Sequence, residues 1–272
     1  MSETAASHAE GCGVPPRIEG PTDGLCETLR DGSRLLCCLD FDGTLAPIVD
    51  DPDEATMTPA NRRALAALSA EPSVSVAVVS GRGIADLRTR IDRDVTLVGN
   101  HGLEIARDGT IATHPVAAAR EPTIATCCGL LETRFDAVPN CEVEHKRLTG
   151  TVHLRSVPDS ARRLVERTTR SVVERIGDGG LTLAGGKEIR EFSPAIDWGK
   201  GDAVELLRAD HSPDASTLYV GDDATDEHAF AALRSNGIGV LVGRARPSNA
   251  TYRVDSPAGV AELLQGLAAD DA

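Results

Sequence analysis

The sequence predicts an α/β protein whose parallel sheet is interrupted by an inserted α+β module. Near both ends of the chain, apolar stretches of strand length alternate with helical stretches, which is typical of parallel βαβ units. The middle of the chain instead alternates polar and apolar residues around Asp-Gly and Gly-Gly turns, which indicates antiparallel hairpins. Several of the parallel strands end in polar motifs, so we expect one crevice at the carboxyl edge of the sheet.

The predicted core begins after an N-terminal leader, which we assign to residues 1–33. The first part of the leader is rich in Gly, Pro, Ala and Glu and is expected to be loose. After it, apolar strands alternate with helices, one of which opens at the favourable cap Thr58-Pro59. In chain order we expect a strand over 34–39, a helix over 59–69, a strand over 74–79, a helix over 84–91, a strand over 95–98, a helix after 201, a strand over 217–220, a helix over 227–233, a strand over 238–242 and a helix over 257–267.

The inserted module is assigned to residues 105–192, which divides the core into residues 34–104 and 193–272. Asp108-Gly109 predicts a tight hairpin at its start, and Gly185-Gly186 predicts another near its end. The intervening sequence predicts a helix through about residue 134, strands over 141–146 and 150–155, and a helix over 160–176. The module is therefore expected to fold as helices on an antiparallel sheet.

Charge and composition exclude several classes of function. The chain has 272 residues and a formal net charge of −14, which argues against binding to a nucleic-acid backbone. It has no apolar run of the roughly 18 to 20 residues that a membrane helix needs, and its N-terminus does not resemble a signal peptide. The seven cysteines are odd in number and lack zinc-binding spacing, so we expect thiols in a reducing, cytoplasmic setting.

Two aspartates at the end of the first predicted strand, Asp40 and Asp42, are the strongest indication of chemistry. Such close carboxylates repel each other unless a cation neutralises them, and Asp222 adds carboxylate oxygen from a later strand end. Because hard oxygen ligands suit Mg²⁺, we expect these three residues to hold it. Asp40 can then attack phosphorus as a nucleophile, while Asp42 protonates the leaving oxygen and later activates water. For an isolated motif, a solvated turn is the alternative interpretation.

Two further motifs offer groups that can bind a phosphoryl oxygen. Ser80-Gly81-Arg82 follows the second strand, where a hydroxyl and backbone N–H groups near a helix start can hold an anion, although a plain helix cap has the same pattern. Lys200 opens a helix, where the helix dipole disfavours a cation. In a chain with three lysines this placement indicates a task, which we take to be binding the phosphoryl group and Asp40. An exposed surface lysine is the alternative.

An acidic turn, residues 221–227, follows the strand predicted over 217–220. Negative charge is favourable at a helix N-terminus, so part of this turn can be explained as capping. Three closely spaced aspartates exceed what a cap needs. We expect Asp222 to bind the metal directly, and Asp223 and Asp226 to lie behind it, with Asp226 orienting Lys200 or a metal-bound water.

Taken together, these motifs resemble the phosphatase branch of the haloacid dehalogenase (HAD) superfamily. The order matches over about residues 34–268: Asp-x-Asp-Gly-Thr, a strand-end Ser, a Lys, and Gly-Asp-Asp-x-x-x-Asp. The resemblance implies a HAD-like Rossmannoid parallel sheet core with an inserted α+β cap of the C2 type. It also implies phosphoryl transfer through an aspartyl-phosphate on Asp40.

Polar residues of the inserted module are expected to choose the substrate. Glu144 and Lys146 are two residues apart, as are His153 and Arg155, so each predicted strand presents its pair on one face. Carboxylates and cations together suit a polyhydroxylated sugar, because they accept from and donate to its hydroxyl groups. A salt-bridged solvated face of the sheet is the alternative interpretation.

The module and several core motifs look like those of the trehalose-6-phosphate phosphatase family. The matching segments are 100–104, 144–146, 153–155, 187–191, 198–201 and 221–227, with Ser193-Pro194 where the family usually has Arg-Pro. The resemblance implies a Mg²⁺-dependent phosphatase for trehalose 6-phosphate, acting beside a trehalose-phosphate synthase of the same pathway, and we expect a monomer. The resemblance assigns contacts with the disaccharide to Glu144, Lys146, Arg155, Lys187 and Glu191. We also expect the following residues to bind substrate: Ser80, Gly81, Arg82, His101 and Gly102.

Two alternatives to this function stay open on the sequence. Related phosphatases for sucrose phosphate or a glycosyl-phosphoglycerate share the core motifs. A catalytically silent sugar-phosphate sensor on the same fold is a second alternative, although the intact Asp40 and Asp42 pair argues against it.

Overall fold

The computed structural model describes residues 13–18, 25–30, 34–185, 188–212, 214–233 and 237–268. The strands are, in chain order, β1 (Leu35–Leu39), β2 (Val74–Val79), β3 (Thr96–Gly99), β4 (Glu104–Arg107), β5 (Thr110–Thr113), β6 (Glu142–His145), β7 (Gly150–His153), β8 (Leu181–Gly185), β9 (Ile189–Pro194), β10 (Ser216–Gly221), β11 (Ile238–Val242) and β12 (Tyr252–Val254). The α-helices are α1 (Leu25–Arg30), α2 (Pro59–Ala70), α3 (Ile84–Arg90), α4 (Pro115–Phe135), α5 (Asp159–Gly177), α6 (Lys200–Ala209), α7 (Asp226–Leu233) and α8 (Pro257–Ala268).

A large, mostly parallel sheet forms the core. Its strand order is β12-β11-β10-β1-β2-β3-β4-β5, and pairing is parallel from β12 through β3. Apolar clusters cover the two faces of this sheet, one of them with α2 and α8 and the other with α6 and α7. The predicted α/β class with a parallel sheet is therefore confirmed.

Strand β1 lies at the centre of the large sheet because all five of its side chains are apolar and buried. Its last residue, Leu39, pairs with Val220 of β10 on one side and with Val78 of β2 on the other. The polar residues that follow β1, β2 and β10 therefore emerge beside one another at the carboxyl edge of the sheet.

Local capping signals set the start of α2 where the sequence predicts it. The Thr58 hydroxyl oxygen accepts from the Asn61 backbone N–H at 3.1 Å, and Pro59 occupies the first helical position. The buried Asn61 amide then donates to the Leu45 carbonyl at 2.9 Å. This bond ties the loop after β1 to the helix that covers it.

A smaller antiparallel sheet, ordered β6-β7-β9-β8, forms a second layer with α4 and α5. Their apolar side chains pack into a separate core that includes Ile124, Leu131, Val165 and Phe192. Because strand residues alternate between the two faces, the polar residues of β6 and β9 lie on the face away from this core. That face is turned toward the carboxyl edge of the large sheet.

The structure differs from the sequence-based boundaries in two places. The hairpin β4–β5, assigned to the inserted module, extends the large sheet instead, because β4 pairs antiparallel with β3. The described parts of the predicted leader are also packed on the core: Leu25 and Leu29 are buried, and the Ile18 N–H donates to the Arg253 carbonyl at 2.9 Å. The reason is that β12 is a sheet edge whose backbone groups need partners.

No helix in the ranges that the structure describes combines the length and the apolar character needed to cross a lipid bilayer.

Candidate active site

Three strand ends deliver polar side chains to one place. Asp40 follows β1, Ser80 follows β2 and Asp222 follows β10, and these strands are neighbours in the parallel sheet. Asp40 and Ser80 are nearly fully buried, at 4% and 1% exposure. The edge of the sheet therefore holds a nucleophile-type carboxylate and a hydroxyl in a largely dehydrated setting, which strengthens electrostatic interactions.

The first residue of α6, Lys200, reaches into this place and is itself buried. Its ammonium donates to Asp40 Oδ1 at 2.8 Å and to Asp226 Oδ1 at 2.7 Å. Burial lowers the pKa of Lys200, but the two carboxylates outweigh burial and raise that pKa above its usual value. For Asp40 burial has the opposite effect: it raises the pKa well above its usual value, although the Lys200 ammonium opposes the rise.

Asp226 is held from three sides. Besides Lys200, the Tyr219 hydroxyl donates to Oδ1 at 2.7 Å and the Asp223 backbone N–H donates to Oδ2 at 2.9 Å. Asp226 is fully buried at the start of α7, so these donors compensate for the loss of water. Asp223 itself lies at the surface of the turn, where its carboxylate accepts from the Thr225 N–H.

Asp40, Asp222 and Asp226 form an acidic cluster in which one carboxylate oxygen of each residue lies within 4.8 Å of those of the other two. Burial, followed by Asp226 and Asp223, raises the pKa of Asp222 to about 7. This carboxylate lies against the backbone of Gly43, where a Cβ would come within 2.0 Å of Asp222 Oδ2 and where φ is 78°, so the position requires glycine. Three carboxylates facing the Lys200 ammonium leave excess negative charge, so the donor set fits a hard divalent cation.

The carboxylate of Asp42 is bound by Arg82 and lies outside the acidic cluster. Arg82 donates through Nε and Nη2 to the two oxygens of Asp42, at 2.7 and 2.8 Å. Its Nη1 donates to Asp86 at 2.8 Å, and its Nη2 also reaches the Pro52 carbonyl. From the sequence we expect Asp42 to bind the metal and Arg82 to bind substrate. In the structure the two side chains bind each other, because a planar guanidinium can donate two parallel hydrogen bonds to a carboxylate.

Ser80, Gly81 and His101 pack closely below the cluster. The Ser80 hydroxyl oxygen accepts from the Arg82 backbone N–H at 3.2 Å. A Cβ at Gly81 would lie 2.5 Å from the His101 ring, so only glycine fits this contact. His101 follows β3 in a left-handed backbone conformation, with φ of 57°, which turns its ring toward Gly81.

A cavity of about 680 Å³ separates the carboxyl edge of the large sheet from the smaller sheet. Its core wall includes Asp40, Asp42, Ser80, Lys200 and Asp222. Its opposite wall includes Glu144, Lys146, His153, Arg155 and Glu191. The cavity thus joins the acidic cluster to the polar face of the smaller sheet, and it is large enough for a sugar phosphate.

The polar wall of the smaller sheet is a chain of opposite charges. Lys146 Nζ lies 3.6 Å from both Glu144 and Glu191, and His101 lies 3.4 Å from Glu191. Burial raises the pKa of Glu191, but His101 and Lys146 outweigh burial and lower it to about 2. Glu144 also accepts from His153, at 3.1 Å, and its pKa is lowered against the effect of burial. Both carboxylates are therefore ionised acceptors.

Two further described residues that were expected to contact substrate take no part in this chain of charges. Arg155 lies at the mouth of the cavity and binds Asp50 of the large-sheet layer at 2.7 Å. Gly102 is buried beneath His101, and its carbonyl accepts from Trp198 at 2.9 Å. Lys187 lies outside the described residues.

Several residues of the site were not assigned a role from the sequence. Asp86 binds Arg82 from the loop before α3 and Arg90 within α3, and the i,i+4 spacing of both pairs was a usable signal. Tyr219 binds Asp226, and a tyrosine within an otherwise apolar buried strand signals a polar partner. Glu104 and Arg147 bind each other at 2.7 Å across the two sheets, and no local pattern relates them.

Comparison with known proteins places these features in a family. The family model of trehalose-phosphatase matches residues 38–258. An uncharacterized glycosyl hydrolase of Mycobacterium tuberculosis is 38% identical over 255 residues, covering 89% of this chain and 19% of that protein. The trehalose-phosphate phosphatase of Mycobacterium ulcerans is 37% identical over 240 residues, covering 84% of this chain and 60% of that protein. The chain therefore spans less than two thirds of the length of either relative.

A solved structure shares the fold. The C-terminal domain of the C. albicans trehalose-6-phosphate phosphatase superposes with a TM-score of 0.76 at 23% identity, covering 95% of this chain and 99% of that domain. At this identity the likeness concerns the fold, which agrees with the α/β core and the second sheet described above.

Proposed function

The chain belongs to the trehalose-phosphatase family, and from this premise we propose that it hydrolyses trehalose 6-phosphate to trehalose and phosphate. The observation that carries the proposal is the single cavity in which the buried Asp40–Lys200 pair faces the charged wall of Glu144, Lys146 and Glu191. The first group suits a phosphoryl group and the second suits sugar hydroxyls.

Hydrolysis is proposed to proceed in two displacements at phosphorus. In the first, a carboxylate oxygen of Asp40 forms a bond to phosphorus while the bond from phosphorus to the sugar oxygen breaks, and Asp42 gives its proton to that oxygen. In the second, water attacks phosphorus, its proton passes to Asp42, and the bond to Asp40 breaks, which releases phosphate. Both residues regain their starting forms, so atoms and charge balance over the cycle.

The surrounding residues are proposed to position the reacting groups. Lys200 fixes the rotation of Asp40 through the bond to Oδ1 and presents positive charge to the phosphoryl oxygens. Arg82 binds both oxygens of Asp42 at the cavity wall. Substrate binding is proposed to separate this pair, so that Asp42 is protonated when it faces the leaving oxygen. Ser80, buried beside them, offers its hydroxyl to a phosphoryl oxygen.

Asp40 and Asp222 are proposed to hold Mg²⁺, with Asp226 and Asp223 behind them. This assignment is supported by the acidic cluster and by the pKa of Asp222, which burial and then the neighbouring Asp226 and Asp223 raise. When bound, the ion offsets negative charge on the carboxylates and on the phosphoryl group.

The smaller sheet with α4 and α5 is proposed to act as a cap that selects the sugar. Glu144 and Glu191 are ionised acceptors for hydroxyl groups, and Lys146 between them is a donor. Arg155 is proposed to close the mouth of the cavity through Asp50. Lys187 is retained as a proposed sugar contact on the resemblance alone.

The proposal includes a cytoplasmic monomer that receives its substrate from a trehalose-phosphate synthase. The setting is supported by cysteine usage: Cys37, Cys38, Cys127 and Cys128 are buried thiols, which fits a reducing compartment. Sedimentation of the purified chain tests the monomer, and co-sedimentation with the synthase tests a stable complex.

The deciding experiment is phosphate release from a panel of sugar phosphates in the presence of Mg²⁺. The panel contains trehalose 6-phosphate, sucrose phosphate, a glycosyl-phosphoglycerate and glucose 6-phosphate, and Asp40→Asn serves as the control. We expect trehalose 6-phosphate to give the highest kcat/KM. A higher value for a monosaccharide phosphate would reject the substrate, and an inert protein that binds the ester tightly would favour a sensor.

A further inference from the structure

A turn of the smaller sheet carries Lys146 and is fastened to the large sheet by buried polar side chains. The turn comprises residues 146–149, between β6 and β7. Its contacts with the large sheet involve Asn100 and Glu104, two residues that do not line the 680 Å³ cavity and to which the proposed mechanism gives no role. We propose that Glu104 and Asn100 are positioning residues that hold this turn so that Lys146 faces the sugar of the substrate, an inference that rests on the proposed function.

Glu104 joins three segments through one buried carboxylate. The residue is 3% exposed, at the start of β4. Its Oε1 accepts from the Ile84 backbone N–H at 2.9 Å and from the Asn100 amide at 2.7 Å, while Oε2 accepts from Arg147 Nη2 at 2.7 Å. A buried carboxylate is stable only with such donors, and one of the three comes from the turn.

The Asn100 side chain makes two further hydrogen bonds with the same turn. Its amide nitrogen donates to the Lys146 carbonyl at 3.0 Å, and its amide oxygen accepts from the Thr149 hydroxyl at 2.8 Å. Asn100 and Thr149 are both fully buried. The two ends of the turn are therefore bonded to a single side chain of the large sheet, and the backbone of Lys146 is one of the bonded groups.

The backbone of the turn contains one residue in an unfavourable conformation. Arg147 has a φ of 71°, which an arginine rarely adopts. Its guanidinium is fixed by Glu104 and by two further partners, the Glu121 carboxylate and the Thr113 hydroxyl, each at 3.0 Å. The left-handed residue directly follows Lys146, so release of the guanidinium would let the lysine turn away from Glu144 and Glu191.

The hydrogen bonds of Glu104 and Asn100 also reach the segments of the large sheet that line the proposed phosphate site. Ile84 is the first residue of α3, and Gly83 before it supplies no side-chain cap, so Glu104 satisfies that helix N–H. Asn100 directly precedes His101, which contacts Glu191. Glu104 thus connects the loop that carries Ser80 and Arg82 to the turn that carries Lys146, although Glu104 itself does not line the cavity.

The test compares Arg147→Met with Arg107→Met as a matched control. Both arginines are about half exposed. Arg107 lies on the same strand as Glu104 and binds Asp210 at 2.9 Å, and among the described residues it makes no hydrogen bond or ion pair with the turn. Kinetics are measured on the best sugar phosphate of the panel and on a small aryl phosphate. We expect Arg147→Met to raise KM for the sugar phosphate about tenfold, with kcat/KM for the aryl phosphate unchanged within about twofold. Arg107→Met should change neither.

Two further measurements keep the proposal falsifiable. Amide hydrogen exchange of a peptide spanning 146–149 should be faster in Arg147→Met and unchanged in Arg107→Met, and Arg147→Lys should recover most of the sugar affinity. An unchanged KM, an equal loss on both substrates, or unchanged exchange would overturn the positioning role. If wild-type protein hydrolyses no sugar phosphate, the proposed function fails, and the exchange measurement alone decides whether the network holds the turn.

Discussion

The Lys200 ammonium lies 2.8 Å from Asp40 Oδ1, although the two residues are 160 positions apart in the chain. Both are 4% exposed, so each charge depends on the other for compensation. The contact joins the end of the first strand of the sheet to the start of a helix that follows the inserted module. It therefore exists only when both parts of the core have assembled.

Replacement of Lys200 by Met should destabilise the protein and stop turnover. The change leaves Asp40 and Asp226 buried without their shared cation, and breaking a buried pair in this way costs about 3–5 kcal/mol. Urea unfolding followed by circular dichroism measures the loss. Lys146→Met is the control, because Lys146 lies in the open cavity; an equal loss of stability in both variants would contradict the assigned role of the buried pair.

Asp40→Asn should abolish hydrolysis while leaving the fold intact. The amide keeps the shape of the carboxylate but cannot form an acyl phosphate, so we expect kcat to fall by about 10⁵-fold or more. In wild-type protein, borohydride quenching during turnover should convert an acyl phosphate at Asp40 to an alcohol that mass spectrometry detects. Hydrolysis by Asp40→Asn near the wild-type rate would remove Asp40 as the nucleophile.

Lys146→Ala should weaken the sugar ester far more than an aryl phosphate. The variant removes the donor between Glu144 and Glu191, and a hydrogen bond to a charged group is worth about 1.5–3 kcal/mol, so KM for trehalose 6-phosphate should rise about ten- to a hundredfold. His145→Ala is the matched control, because the His145 side chain is exposed on the opposite face of β6. Equal effects on both esters would mean that Lys146 does not recognise the sugar.

Removal of divalent metal should abolish hydrolysis reversibly. We expect EDTA to abolish activity and Mg²⁺ to restore it. Binding of Mg²⁺ at about a hundred times its Kd should stabilise the fold by about 2.7 kcal/mol, which raises Tm. Asp222→Asn should reduce this Mg²⁺-dependent shift, and Asp223→Asn, on the same turn, should reduce it less. Full activity in EDTA, or an unreduced shift in Asp222→Asn, would contradict the metal assignment.

Asp86 should contribute stability that disappears in acid. Burial raises the pKa of this carboxyl, but hydrogen bonds from Arg90 and Arg82 outweigh burial and hold it below its usual value. Because the pKa is lower in the folded state, the contribution is present above the unfolded pKa of about 3.9 and is lost as pH falls through the folded value. The difference in Tm between wild type and Asp86→Asn should therefore be larger at about pH 6 than at about pH 3. A difference that grew toward acid would refute the pairing.

Much of the core could be predicted from local patterns. The five buried residues of β1, the cap at Thr58 and the acidic turn before α7 are each encoded within a few neighbouring positions. Apolar runs, capping side chains and turn residues act over such short distances, so the order of strands and helices is readable without coordinates. The strand ends that carry Asp40, Ser80 and Asp222 follow from that order, because parallel strands share one carboxyl edge.

The pairing of distant side chains could not be predicted in this way. Arg82 binds Asp42, forty positions away, and Glu104 binds Arg147 across the two sheets. The hairpin β4–β5 joins the large sheet, although its turn sequence would serve equally well in either sheet. Each of these outcomes depends on which charges and which unpaired strand edges the folded chain brings together, and neighbours along the chain carry no information about that choice.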